Sequence, residues 1–311
     1  MIDTHLHLVD FLQHPMTSDE LQAIVRANGD GAVVFGLPVK KKWSMTEPQR
    51  PTYYLDDNAP CSTYPLTDVL VSDLVTEARR TLPEGDADLL APTICGFDPT
   101  DQLAAEHVEL MIERDDGWRG VGEILLRHDD LTEITYGENA RAGHPALDDV
   151  LDICAQRGWP FTFHQDASSA GRSGQREYVG EVEAMLDRHP GVPMVWAHAG
   201  SSRRIAPDGH ARLLGELFDA HPALHADLSW VILDRLVGRP AAAAPPPALP
   251  DGWRRLLQRH PDRVVLGSDA FGSADGLAAS IEQRERLLDQ LPLRDRELVG
   301  CRNARRLWWG D

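Results

Sequence analysis

The chain has 311 residues, a hydrophobic fraction of 42% and a formal net charge of −18, a length that accommodates one large α/β barrel or two ordinary domains with a full core. The acidic excess argues against a protein whose main task is to grip nucleic acid or an anionic membrane, since both require broad positive surface. Cys61, Cys95, Cys154 and Cys301 are scattered without a Cys-x-x-Cys pair, no basic N-terminal segment leads into an apolar run, and no window approaches a membrane span, so neither a disulfide framework nor a zinc finger is indicated and a cytoplasmic location is expected.

The first apolar run, residues 2 to 6, leads through Asp3-Thr4-His5-Leu6-His7. Strand side chains alternate with period two, so His5 and His7 point to the same side and form a pincer. A helical pattern over 19 to 28 follows, then a second strand-like run at 31 to 37. Directly after it come Lys40, Lys41 and Lys42, the only lysines among 31 basic residues. The polar stretch 38 to 64, with Trp43, Tyr53 and Tyr54, is too long for an ordinary connection and reads as a lid or binding loop inserted after the second strand.

Beyond the loop, helical patterns at 67 to 81, 101 to 115, 145 to 157, 180 to 188, 210 to 220, 252 to 259 and 277 to 291 alternate with short apolar runs at 89 to 95, 119 to 125, 160 to 164, 193 to 198, 223 to 229 and 263 to 269. Four of these runs carry a metal-capable residue near the carboxyl end: Glu123, His164, His198 and Asp269. Arg203 and Arg204 follow His198, Asp227 ends the seventh run with Trp230 just after it, and 238 to 250 is a low-complexity Ala/Pro connector. Alternating strands and helices imply parallel pairing, and eight such units match a (β/α)8 barrel of roughly 250 residues. The expected organisation is a single TIM-barrel domain over 1–311. A doubly wound sheet would place a glycine-rich turn after the first strand, where this chain has His-x-His.

In a parallel barrel the carboxyl ends of all strands converge on one rim. His5, His7, Glu123, His164, His198 and Asp269 would meet there, and imidazole with carboxylate and no thiolate suits an open site for zinc, manganese, iron or cobalt. Asp269 is the expected proton shuttle for metal-activated water, with His198 and Glu123 as further catalytic candidates. Lys40, Lys41, Arg203, Arg204 and Trp230 are the candidate contacts to a small anionic substrate.

The ordered set from Asp3-Thr4-His5-Leu6-His7 through Gly122-Glu123-Ile124, Phe163-His164, Ala197-His198-Ala199-Gly200 and Gly267-Ser268-Asp269 to Asn303-Ala304-Arg305-Arg306-Leu307 resembles the amidohydrolase superfamily, in its amidohydrolase-related (amidohydrolase 2) branch. The resemblance implies a TIM barrel with one or two divalent ions on the His pair, the strand-five His and the strand-eight Asp, while the strand-six His takes a second metal or polarises substrate. Many binuclear relatives bridge their metals with a carboxylated lysine on the fourth strand; this chain has Glu123 there, which leaves one or two ions open. The expected activity is hydrolysis of a C–N or C–O bond in an amide, lactone or ester, with decarboxylation of an aromatic or unsaturated acid as the alternative. A homo-oligomer is compatible with the sequence.

Overall fold

In the computed structural model the described residues are 1–239, 246–272 and 276–311; residues 240–245 of the low-complexity tract, and 273–275, lie outside them. The strands are β1 (Asp3–His7), β2 (Ala32–Phe35), β3 (Val39–Lys41), β4 (Cys61–Thr63), β5 (Leu90–Pro92), β6 (Val121–Arg127), β7 (Phe161–Gln165), β8 (Met194–Trp196), β9 (Leu224–Leu228), β10 (Val264–Leu266) and β11 (Ala270–Phe271). Parallel pairing runs β11-β1-β2-β5 in one arc and β10-β9-β8-β7-β6 in the other. A parallel bridge between Ile94 and Val121 joins the arcs on one side. On the other side β10 pairs with β9 and β11 with β1, and only three residues separate β10 from β11. The run 264–271 therefore serves as the eighth strand of a TIM barrel.

The burial pattern explains this choice. Every residue of β1, β2, β5, β7, β8, β9 and β10 is buried, as expected for parallel strands covered by helices outside and side chains inside. The helices lie within one to three residues of the periodic segments: 18–28, 66–81, 104–114, 146–157, 179–188, 210–220, 251–259 and 277–288. The first is fastened by a capping box in which the Thr17 hydroxyl accepts from Glu20 N while the Glu20 carboxylate accepts from Thr17 N. Ile2, Val33, Phe35, Ala91, Val195 and Val265 pack with Leu307 and Trp308 of the C-terminal helical segment, so that segment caps the inner core.

Three elements depart from the sequence reading. The stretch 38–64 contains the antiparallel hairpin β3/β4, with Val39 opposite Thr63 and Lys41 opposite Cys61; three-residue polar strands carry no readable period. A short helix at Val231–Val237 and helical turns over 293–309 complete the chain. Two glycines are required by close approach. A Cβ at Gly267 would sit 2.3 Å from the His5 Cβ, and one at Gly122, where φ is +136°, would sit 2.4 Å from the Thr162 carbonyl oxygen. These contacts let the neighbouring strands carry His5, Glu123 and Asp269 toward one point.

Candidate metal centre and substrate cavity

The six residues expected to hold metal meet at the carboxyl ends of the strands. His5 and His7 share one face of β1, with their Nε2 atoms 3.3 Å apart. Glu123 Oε2 lies 3.4 Å from each of these nitrogens, and Asp269 Oδ1 lies 3.6 Å from each. The other Glu123 oxygen turns to a second pair: Oε1 is 3.3 Å from His164 Nδ1 and 3.5 Å from His198 Nε2. Asp269 Oδ2 lies 3.9 Å from His198 Nε2.

Each imidazole has its outer nitrogen anchored. His5 Nδ1 is 2.8 Å from Asp227 Oδ2, and His7 Nδ1 is 2.6 Å from the Gly36 carbonyl oxygen. His198 Nδ1 is 2.7 Å from the Ser229 hydroxyl, which donates to Asp227 Oδ2, and His164 Nε2 is 3.2 Å from Asp166 Oδ1. Such outer contacts set the ring orientation and leave the inner nitrogen free as a donor. Phe35 packs against the first two rings, at 5.0 Å from His5 and 5.6 Å from His7. The backbone is in the left-handed region at His198 (φ 52°), Trp230 (φ 52°) and Asp269 (φ 55°). Such strain in residues with side chains clusters at functional sites, where the surroundings hold it.

The electrostatics favour positive charge. Burial pushes the imidazoles toward neutrality, yet neighbouring carboxylates outweigh it. His5 is held well above its ordinary value by Glu123 and Asp227, His7 rises to about 9 through Asp269 and Glu123, and His164 rises to about 10 through Asp166 and Glu123. Against its own burial, Glu123 is driven well below the carboxylate range by His5, His164 and His198, and Asp269 is lowered by His198 and His7. The carboxylates thus favour positive charge at the imidazoles. Around a tetrahedral ion with bonds of roughly 2.1 Å, ligand atoms lie about 3.4 Å apart, so the spacing of both groups around Glu123 fits divalent metal. His5, His7 and Glu123 would hold one ion and Glu123, His164 and His198 a second, while Asp269 groups with His5 and His198 across the two.

A cavity opens over this centre, walled by Phe11, Tyr53, Tyr54, Trp230 and Phe271 with Arg203 and His128. Tyr53 and Tyr54 reach it from the 38–64 loop. The remaining basic candidates do not line it. Lys41 is buried with its ammonium 2.9 Å from Asp57 Oδ1 and donating to the Asp57 and Ala59 carbonyls, so it pins the loop. Lys40 lies over the Tyr64 ring at 4.8 Å, and all three lysines line a separate groove. Arg204 pairs with Asp129 and Asp130, and Arg127 makes two bonds to Glu181, at 2.8 and 2.7 Å. Asp3 accepts from the backbone N–H groups of His5 and Ser268 and lies 3.4 Å from Arg284, a role that ties the first strand to the last.

Sequence reasoning passed over Asp166, Ser229 and His128. A signal existed for two of them: Asp166 is two residues beyond His164 and Ser229 two beyond Asp227, the same period that made His5 and His7 a pair. His128 sits in a turn without a period.

The sequence profile of the amidohydrolase family matches residues 2–309. The chain belongs to the amidohydrolase family. Several solved structures share its barrel. An amidohydrolase 2 from Bifidobacterium longum subsp. infantis is 16% identical, with 99% of this chain and 97% of that chain covered at a TM-score of 0.52. Dihydroorotase from Campylobacter jejuni is 14% identical, with 99% and 82% covered and a TM-score of 0.53. The 5-carboxyvanillate decarboxylase of Novosphingobium aromaticivorans, solved with manganese, is 13% identical, with 99% and 95% covered and a TM-score of 0.53. At these identities the likeness is one of fold. No match was found among curated proteins.

Proposed function

We propose that this amidohydrolase-family protein is a metal-dependent hydrolase that cleaves a C–N or C–O bond, in an amide, lactone or ester, of a small anionic substrate. The observation that carries the reading is Glu123, whose two oxygens face different histidine pairs at 3.3–3.5 Å, an arrangement suited to one carboxylate shared by two ions. Zinc is the first choice for an imidazole-rich set without thiolate, ahead of manganese, iron and cobalt. A divalent cation held there supplies Lewis acidity, acidifying water and polarising a carbonyl.

The chain's own residues supply the rest. Asp269, kept ionised by His198 and His7 against its burial, accepts a proton from the attacking water and returns it to the leaving nitrogen or oxygen. Arg203 counters the substrate's charge at the cavity mouth, and Trp230 offers a flat wall to its body. All four cysteines are unpaired, in keeping with a reducing cytoplasm. No helix among the described residues is long and apolar enough to cross a membrane.

The same aromatic wall would suit a planar unsaturated acid, so decarboxylation is the competing reading. Elemental analysis of the purified protein, followed by assay of lactones, cyclic amides and aromatic acids in ¹⁸O-labelled water, separates the two. About two ions per chain and ¹⁸O in the product support hydrolysis. Carbon dioxide release without ¹⁸O uptake overturns it in favour of a lyase, and a protein that takes up no zinc, manganese, iron or cobalt overturns both.

A further inference from the structure

Among the described residues, one wall of the cavity carries two hydrogen-bond donors with nothing to bond to, His128 Nε2 and the Tyr54 hydroxyl, beside a guanidinium that no carboxylate claims. His128 follows β6 and is nine-tenths buried. Its Nδ1 accepts the backbone N–H groups of Asp130 at 3.2 Å and Leu131 at 3.1 Å. Asp129 Oδ1 also lies 3.4 Å from Nδ1 but makes no hydrogen bond to it; a ring nitrogen that accepts two N–H bonds carries no proton, so the turn places the proton on Nε2. That Nε2–H has no partner among the described residues, and the ring is locked by stacking on His164 at 4.7 Å and on Trp230 at 6.1 Å.

Tyr54 packs edge-on to the same ring at 6.2 Å. Its hydroxyl is buried without a hydrogen-bond partner, a condition that costs free energy unless a ligand relieves it. Arg203 completes the group, with its guanidinium 5.8 Å from the Tyr54 ring centre and 5.4 Å from those of Tyr53 and Trp230. It donates one N–H to the Tyr53 hydroxyl, and among the described residues it makes no ion pair with a carboxylate, whereas its neighbour Arg204 makes two.

We propose that His128, Tyr54 and Arg203 form a subsite for a planar carboxylate on the substrate, with His128 as a specificity-determining donor whose tautomer is preset by the 128–131 turn. This rests on the cavity being the substrate site proposed above. The chemistry selects the ligand. Arg203 presents a planar fork matched to two carboxylate oxygens, His128 Nε2–H can only donate, and the Tyr54 hydroxyl can donate as well. A carboxylate, which only accepts, satisfies all three, whereas a primary amide of the same shape would set its own NH2 against donors. The flat aromatic surroundings suit the plane of an unsaturated acid.

Two substitutions at His128 separate recognition from scaffolding. Asn places an acceptor where Nδ1 was and removes the outer donor; Gln extends a donor toward the Nε2 position and removes the inner acceptor. Binding of benzoate and of benzamide is measured by calorimetry on the metal-loaded and the chelator-treated protein, together with melting temperature. Benzoate is expected to bind at least tenfold more tightly than benzamide to both forms. His128→Asn should weaken benzoate about tenfold with little change in melting temperature, while His128→Gln should retain most of the binding and melt lower. Tyr54→Phe and Arg203→Gln should weaken benzoate and spare benzamide.

The reverse pattern, with His128→Asn binding normally and His128→Gln impaired, would reduce His128 to a turn residue and overturn the subsite. Equal affinity for benzoate and benzamide overturns it too, as does benzoate binding that vanishes on chelation. A protein that takes up no metal yet shows the expected pattern would defeat the hydrolase reading and leave the subsite standing. Metal uptake without the pattern would do the opposite.

Discussion

Asp227 Oδ2 lies 2.8 Å from His5 Nδ1, on the far side of the imidazole from the Glu123 and Asp269 carboxylates that its Nε2 faces. The same Asp227 oxygen accepts the Ser229 hydroxyl, and Ser229 in turn meets His198 Nδ1. One buried carboxylate therefore orients an imidazole of each proposed ion pocket. Asp227→Asn is expected to weaken metal retention about 10- to 100-fold, read by competition against a chelator of known affinity, while the barrel's circular dichroism stays unchanged. Retention equal to wild type would show that strand geometry alone aims His5 and His198.

In the proposed mechanism Asp269 both holds metal and moves a proton. Asp269→Asn should lower turnover by about 10²–10⁴ while the fold is kept, because the residue is partly open to the cavity rather than part of the core. His5→Ala should abolish turnover through loss of metal. The check is kcat on any substrate found in the panel above, with metal content measured on the same samples. Full turnover in metal-loaded Asp269→Asn protein would remove Asp269 from the proton path.

The cluster also predicts how stability responds to pH. In the metal-free protein His7 titrates at about 9 and His164 at about 10, against an ordinary value of 6.5. Groups raised in the folded state stabilise fully below their unfolded value and lose that contribution as pH rises through the folded value. Chelated protein should therefore lose on the order of a few kcal/mol between pH 6.5 and 10. Glu123 and Asp269 are shifted down, so their contribution is present above the ordinary carboxylate range and fades as pH falls below it. Metal replaces protons on the imidazoles, so metal affinity should rise across the alkaline window. Melting curves with and without chelator should diverge from pH 6.5 upward; parallel curves would contradict the assignment.

The lysines separate into two predictions. Lys41 is enclosed by Asp57 and the carbonyls of Asp57 and Ala59, so Lys41→Ala should loosen the 38–64 loop. Limited proteolysis should then cut within that segment at least several-fold faster than in wild type. Lys40 lies over Tyr64 away from the cavity, and Lys40→Ala should leave KM for an anionic substrate unchanged. A selective rise in KM for Lys40→Ala would return the basic run to the substrate path.

Much of this architecture was legible along the chain because it follows from local periodicity. All eight strand runs form barrel strands, and the helical patterns end within a few residues of the observed helices, since parallel strands buried on both faces are continuous apolar runs and their covering helices carry one apolar stripe. His5 and His7 shared a face by alternation alone. The hairpin at 39–41 and 61–63 was not readable, because each arm is three residues and its pairing closes over a long excursion. Lys41 had the composition of a substrate contact and became an internal staple once Asp57 folded back onto it.

What the sequence by itself determined is the barrel and the identity of the residues at its rim, because strand and helix periods and the convergence of parallel strand ends are consequences of local geometry. What only the tertiary structure decided is which charges remain free. Arg203 and Arg204 are adjacent in sequence, yet Arg204 is claimed by Asp129 and Asp130, some 75 residues away, while Arg203 turns to Tyr53, 150 residues away. His128 became a candidate donor only when its turn occupied Nδ1 and left Nε2 without a partner. Pairing between distant side chains depends on where loops return, and neither period nor composition encodes that return.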